Sequence, residues 1–319
     1  MRIQHLVSIF CIRPFLTLLG GVAVAATQPY GYVANEMGNT VSVVNLATNT
    51  VTTAIPISGG GLTGLAVTPN GEYVYVTEQI KNCVAIISTT SNTVVSTVAV
   101  GSAPVQVAFT PNGEMAYVVN TQSNNVSVIN TTTKAVVATI PVGSRPVGIA
   151  ATPDGTRILV TNILSSNISV ISTTSNTVTA TWTALSGTNG IAVYGNDVYV
   201  TNQYANALTV HNLSTGSIQS TVSGFSAPNA VAVAPNGSQI YVTNGNSSTV
   251  WALKLSSLAI EAKISAGLLP TSVAVSSDSS TAYVTNGYGY SLTIVNTATN
   301  AVKDTMSEVG IYPASVALY

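Results

Sequence analysis

Side chains able to do chemistry are scarce in this chain. Its 319 residues carry 10 Asp and Glu, 9 Lys and Arg, 2 His and 2 Cys, and charged residues make up 6% of the total, against about 25% in an ordinary soluble domain. Two carboxylates stand out, Glu36 with Met37 beside it, and Glu78 with Lys81 close behind; Tyr288, Tyr290 and Tyr312 gather near the other end. A carboxylate pair can cleave glycosides or hold Ca²⁺ if its loops converge, and tyrosine offers contact area with a polar tip. These seven residues are the candidate ligand-binding set. No residue is assigned a catalytic or metal-binding role. Zinc needs several His or Cys ligands, a Ser-His-acid triad would have to recruit His211, and no glycine-rich phosphate loop opens a helix. No cofactor is expected.

The rest of the composition narrows the field further. Ser, Thr and Asn supply roughly a third of the chain, so its polar surface is built from neutral groups. Nothing concentrates Lys and Arg into a phosphate-neutralising footprint, which excludes nucleic acid as a partner. Residues 1–26 read as an export signal: Arg2 and His5 lead, Phe15 to Leu19 form a short apolar core, and Ala23-Val24-Ala25 resembles a small-residue cleavage site. The apolar run is too short for a bilayer, which needs about 20 residues, so no membrane span is expected after cleavage. Removing the segment leaves 7 basic against 10 acidic residues, a net charge of −3, with one His (His211) and one Cys (Cys83). A single Cys cannot close an intrachain disulfide, so the core alone must hold the exported fold; Cys83 reads as a small, partly buried strand residue.

The elements that position the candidates come from a repeat. One phrase occurs seven times, as Tyr32-Val33-Ala34-Asn35, Tyr75-Val76-Thr77-Glu78, Tyr117-Val118-Val119-Asn120, Leu159-Val160-Thr161-Asn162, Tyr199-Val200-Thr201-Asn202, Tyr241-Val242-Thr243-Asn244 and Tyr283-Val284-Thr285-Asn286. The copies begin 43, 42, 42, 40, 42 and 42 residues apart, the period of a four-stranded propeller blade. Each period holds four short β-branched runs punctuated by Gly, Pro, Asn and Thr, with hairpin signals at Pro69-Asn70-Gly71, Pro111-Asn112-Gly113 and Pro235-Asn236-Gly237. The expected fold is all-β: residues 27–319 form one seven-bladed β-propeller of four-stranded antiparallel blades. It is closed by pairing Ala314–Leu318 with the N-terminal strand around Tyr30–Asn35, which removes two open edges.

At these residues the chain resembles the YVTN-repeat β-propeller family of exported and cell-surface proteins. Glu78 departs from the phrase-ending Asn and Leu159 from its leading Tyr. For most members the resemblance implies no defined reaction. A feature in every blade serves the ring, so the recurring Asn and Tyr are read as structural and the exceptions as candidates for function. Glu36, Met37, Glu78, Lys81, Tyr288, Tyr290 and Tyr312 fall on loops of one face, in three consecutive blades that straddle the closure. His211 sits at a strand position held elsewhere by Ile129, Ile171, Leu253 and Val295, and reads as a buried structural histidine.

The strand starts nearest the axis, Gly64, Gln106, Gly148, Gly190, Ala230, Ser272 and Ser315, offer little chemistry. That leads to the expectation of an exported, non-catalytic binding or scaffold protein of the periplasm, cell surface or medium. It would recognise a protein, glycan or envelope component through the Glu36/Glu78/Tyr288 face. The alternatives are a propeller enzyme of the lyase or lactonase class, with a metal held by the loop carboxylates, and a purely structural surface-layer unit.

Overall fold

The computed structural model describes residues 30–319, so the export-signal reading of residues 1–26 lies outside the described residues. The 28 strands of the described residues, β1–β28 in chain order, form seven four-stranded antiparallel sheets arranged as a ring. Among the described residues no helix is long and apolar enough to cross a membrane.

The closing blade is built from both ends of the ring. β1 (Tyr30–Asn35) pairs with β2 (Thr40–Asn45) on one side and with β28 (Pro313–Leu318) on the other, and β3 (Thr50–Pro56) completes the sheet. Val33 lies opposite both Ser42 and Val316. The expected head-to-tail latch is therefore present, and Tyr319 extends it by donating its N–H to the Tyr30 carbonyl at 2.8 Å.

Strand alternation explains why the phrase is apolar on both sides. Tyr32 and Ala34 face the second blade, where they meet Leu65, Val74, Val76 and Ile87. Val33, one residue out of phase, faces the seventh and meets Tyr283, Leu292, Ile294 and Met306. Successive side chains point to opposite faces of a strand, so every inner strand feeds two cores. Each fully buried Val or Ile contributes about 1.5–3 kcal/mol, and the ring spreads that stabilisation over seven interblade clusters.

The phrase-ending Asn is structural, as expected, though its partners are mostly side chains. The amide of Asn35 donates to the Ser42 hydroxyl at 2.9 Å, and Asn120, Asn162, Asn202 and Asn286 donate to Ser127, Ser169, Thr209 and Thr293 at 2.9–3.0 Å. The acceptor always lies seven residues on, in the adjacent strand. A glycine of the incoming crossing passes over this Asn in several blades: a Cβ on Gly101, Gly143, Gly267 or Gly310 would lie 2.1–2.8 Å from an atom of the Asn below it.

Candidate functional site

Loops joining the second and third strands share one face of the ring with the crossings between blades. The residue just before each innermost strand forms an inner rim on that face, and its φ is positive in all seven blades: Gly61, Ala103, Arg145, Gly187, Ala227, Leu269 and Tyr312. Below the rim lies an axial cavity of about 390 Å³ lined by Leu65, Gln106, Asn189, Ser272, Ser315 and their neighbours. The expectation of a chemistry-poor axis agrees with this lining.

Four of the candidates, Glu36, Met37, Tyr288 and Tyr312, meet at the mouth of this cavity, at the seam between the seventh and closing blades. The Glu36 N–H donates to the Tyr312 carbonyl at 2.9 Å, while Met37 and Gly38 donate to Ile311 at 3.2 and 3.1 Å. The Tyr312 ring packs edge-on against Tyr288, with centroids 5.2 Å apart and planes at 83°. A Cβ on Gly287 would sit 3.1 Å from Tyr312 Cζ and 3.2 Å from Thr271 Cγ2, so the cluster stands directly beside Thr271, the neighbour of cavity-lining Ser272. Burial raises the Glu36 carboxyl above the usual carboxylate range. Burial, then the charge of Glu36, then Tyr288 raise the Tyr312 phenol, which stays protonated and able to donate.

Tyr290 ends the same loop with φ 47°. The equivalent positions in the other blades hold Asn39, Asn82, Asn124, Ser166, Asn206 and Ser248 at φ 50–56°. Left-handed backbone suits Asn and disfavours bulky side chains. Tyr290 and Tyr312 are both bulky aromatics in this region, two residues from and in contact with Tyr288 respectively. Sequence reasoning found both tyrosines through their departure from the repeat; their strained backbone was not legible there.

Glu78 is placed differently from the expectation of a surface group. Its side chain is buried beneath Gly59, where an added Cβ would fall 1.4 Å from Oε2. It occupies the slot of the structural Asn, and the residue seven positions on is Ala85, so the hydroxyl partner of five other blades is missing. Glu78 Oε2 has no hydrogen-bond partner. Cys83 lies opposite it across the strand pair; burial first, then the Glu78 carboxylate, push its thiol up to about 11, which leaves it an inert buried thiol at neutral pH. Lys81 stays exposed on the face, with Nζ donating to Ser58 Oγ at 2.9 Å. Glu36 thus has no exposed carboxylate partner in Glu78. Among the described residues no group of three or more His, Cys, Asp or Glu side chains converges. The donor set for a metal held by loop carboxylates is not assembled, and no step is derived through one.

His211 is buried between sheets as expected. Its Nδ1–H donates to the Gly216 carbonyl at 3.1 Å, and Nε2 faces the Thr209 hydroxyl at 3.1 Å. Burial holds its pKa below the usual histidine value.

Against this geometry, comparison with known proteins is informative. The model of a family described as "Lactonase, 7-bladed beta-propeller" matches residues 22–136, about a third of the chain. A search of curated proteins finds no significant relative. Solved structures share the fold. Hydrazine synthase of Kuenenia stuttgartiensis superposes with TM-score 0.77 at 20% identity, covering 84% of this chain and 92% of that one. A protein of Bacteroides fragilis provisionally assigned as a 6-phosphogluconolactonase gives 0.77 at 12%, with coverages of 92% and 99%. One of Bacteroides uniformis with the same provisional assignment gives 0.75 at 15%, with coverages of 92% and 100%. At such identities the likeness shows the fold alone. The lactonase match, however, overturns the expectation of a non-catalytic binding or scaffold protein and favours the enzyme-type alternative. That expectation rested on the chemistry-poor axis.

Proposed function

We propose that this chain is a lactonase-type propeller enzyme that opens a lactone by hydrolysis at the mouth of its axial cavity. The observation that carries the reading is the lactonase-family match over residues 22–136, a stretch that includes Glu36. The seam geometry supplies roles. The Glu36 carboxylate, its pKa raised by burial, takes a proton from water as the water oxygen attacks the lactone carbonyl carbon. A raised carboxyl pKa brings a base closer to the operating pH, where general-base catalysis contributes about 10²–10⁴-fold. The Tyr312 phenol donates to the carbonyl oxygen as it gains negative charge; one such donor is worth about 10²–10³-fold. When the bond between the acyl carbon and the ring oxygen breaks, that oxygen takes the proton back from Glu36. The product is the hydroxy acid, and lactone and water are fully accounted for.

The test is a pH-stat assay of lactone opening by the purified chain, measured above the uncatalysed rate with glucono-δ-lactone and alkyl δ-lactones. Glu36→Gln is expected to lower kcat by about 10²-fold or more while the melting temperature holds or rises. An absence of acceleration by the parent chain, or full activity in Glu36→Gln, refutes the reading. We also infer that residues 1–26 direct export, so that the substrate is met outside the cytoplasm. Amino-terminal sequencing of the cell-envelope and secreted forms checks this, with Thr27 the expected first residue.

A further inference from the structure

The seven blades provide an internal control for what the rim contacts. At the crossing position just before the inner rim, four blades carry Ser102, Ser144, Ser186 and Ser226, whereas the crossings into the seventh and closing blades carry Leu268 and Ile311. On the rim itself Tyr312 replaces the Gly or Ala of four other blades, and at the loop end Tyr290 replaces Asn or Ser. These apolar departures are contiguous. Gly289 donates to the Leu268 carbonyl at 3.1 Å, and the loops of Met37 and Ile311 are joined by hydrogen bonds. Tyr288 stacks edge-on against Tyr312. Leu268, Met37, Tyr288, Ile311 and Tyr290 are 63, 58, 57, 55 and 46% exposed, so the strip projects into solvent and contributes little to the core. Exposed contiguous apolar surface marks a contact site for a partner or a ligand, and this one adjoins the cavity that the proposed reaction uses.

Charge separates the ligand classes. The acidic groups beside the strip are Glu36 and, four residues before Tyr312, the exposed Glu308; of the cations on this face, Lys81 stands one blade from the closing blade with its Nζ engaged by Ser58 Oγ at 2.9 Å, and Arg145 belongs to a blade three places away. A phosphate seated here would lie among carboxylates, at an electrostatic cost that Lys81, one blade away and engaged by Ser58, offsets only in part. We infer that the lactone is uncharged and carries an aliphatic or aromatic substituent that lies along this strip, with its ring carbonyl toward Tyr312. The inference rests on the lactonase reading.

Binding and turnover together test it. The full chain is titrated by calorimetry with δ-decalactam and δ-valerolactam, in which an N–H replaces the ring oxygen so that neither is opened, and with 6-phosphogluconate. The pentyl-bearing lactam is expected to bind at least about tenfold more tightly than the unsubstituted one, because its chain leaves water on binding. Ile311→Ser with Leu268→Ser, which installs the residue of four other blades, is expected to abolish that preference without lowering the melting temperature. Equal affinities for the two lactams overturn the inference. So does tighter binding of 6-phosphogluconate that is lost in Arg145→Ala, which would place an anionic ligand across the mouth. Turnover of δ-decalactone is measured alongside. Lactam discrimination without turnover removes the catalytic reading and leaves this contact standing; turnover without discrimination does the reverse. Failure of every ligand to bind together with absence of turnover removes both.

Discussion

Replacing Tyr290 by Asn separates stability from function at the seam. Tyr290 sits at φ 47°, where four other blades carry Asn and two carry Ser. A bulky L-residue in the left-handed region costs about 1–2 kcal/mol, and Asn recovers most of this by hydrogen-bonding locally. The ring is 46% exposed, so its partial packing returns only part of the cost, and the net gain from Tyr290→Asn is about 1 kcal/mol. For a domain of this size each kcal/mol moves Tm by about 2–4 °C, giving an expected rise of about 2 °C by differential scanning calorimetry. The same variant should raise KM for an alkyl lactone several-fold with little change in kcat, because the aromatic binds substrate without touching the reacting atoms. An unchanged or lower Tm refutes the strain argument. A Tm that rises while KM stays constant refutes the assignment of Tyr290 to the ligand strip.

Three further outcomes follow from the same geometry. Glu78→Asn combined with Ala85→Ser restores the repeat in the second blade, exchanging an orphan charged oxygen for a neutral one and adding a hydroxyl acceptor; urea unfolding at pH 7 should show a gain of about 1–3 kcal/mol. His211 has a depressed folded pKa. Its contribution is therefore fully present above the unfolded value near 6.5 and is lost as pH falls through the folded value. Thermal melts of the parent chain should lose stability across that acidic window, and His211→Asn should flatten the loss. Glu36 has the opposite sign: its raised pKa makes the protonated form the better-accommodated one, so its contribution is present below the unfolded value near 4.5 and is lost as pH rises through the folded value. Glu36→Gln should accordingly be as stable as the parent chain or more so at pH 7, and kcat of the parent chain should climb with pH through the same titration.

Much of the fold could be read from the chain because the blade repeats. Tyr32 to Asn35 and its six relatives carry strand period, hairpin and interblade packing in one phrase, and the unpaired first and last strands of the series require each other. The candidate site was legible only where it broke the pattern, as at Glu36, Tyr288 and Tyr312. Glu78 breaks the pattern too, yet the structure buries it. Nothing in its spacing reveals that the Gly59 crossing folds over it, since that contact joins residues far apart in the chain. The apolar character of Leu268 and Ile311 was visible in the residues, yet its meaning depends on which loops adjoin.

The amino-acid sequence by itself determined a closed seven-bladed ring, because alternation and turn chemistry are local and recur every 40–43 residues. Only the tertiary structure decided which singular side chains share a surface. Ring closure brings Glu36 within hydrogen-bonding contact of Tyr312 across 276 positions. Burial, which raises one glutamate's pKa at the mouth and hides the other beneath a glycine, is a property of packed neighbours that no residue carries alone.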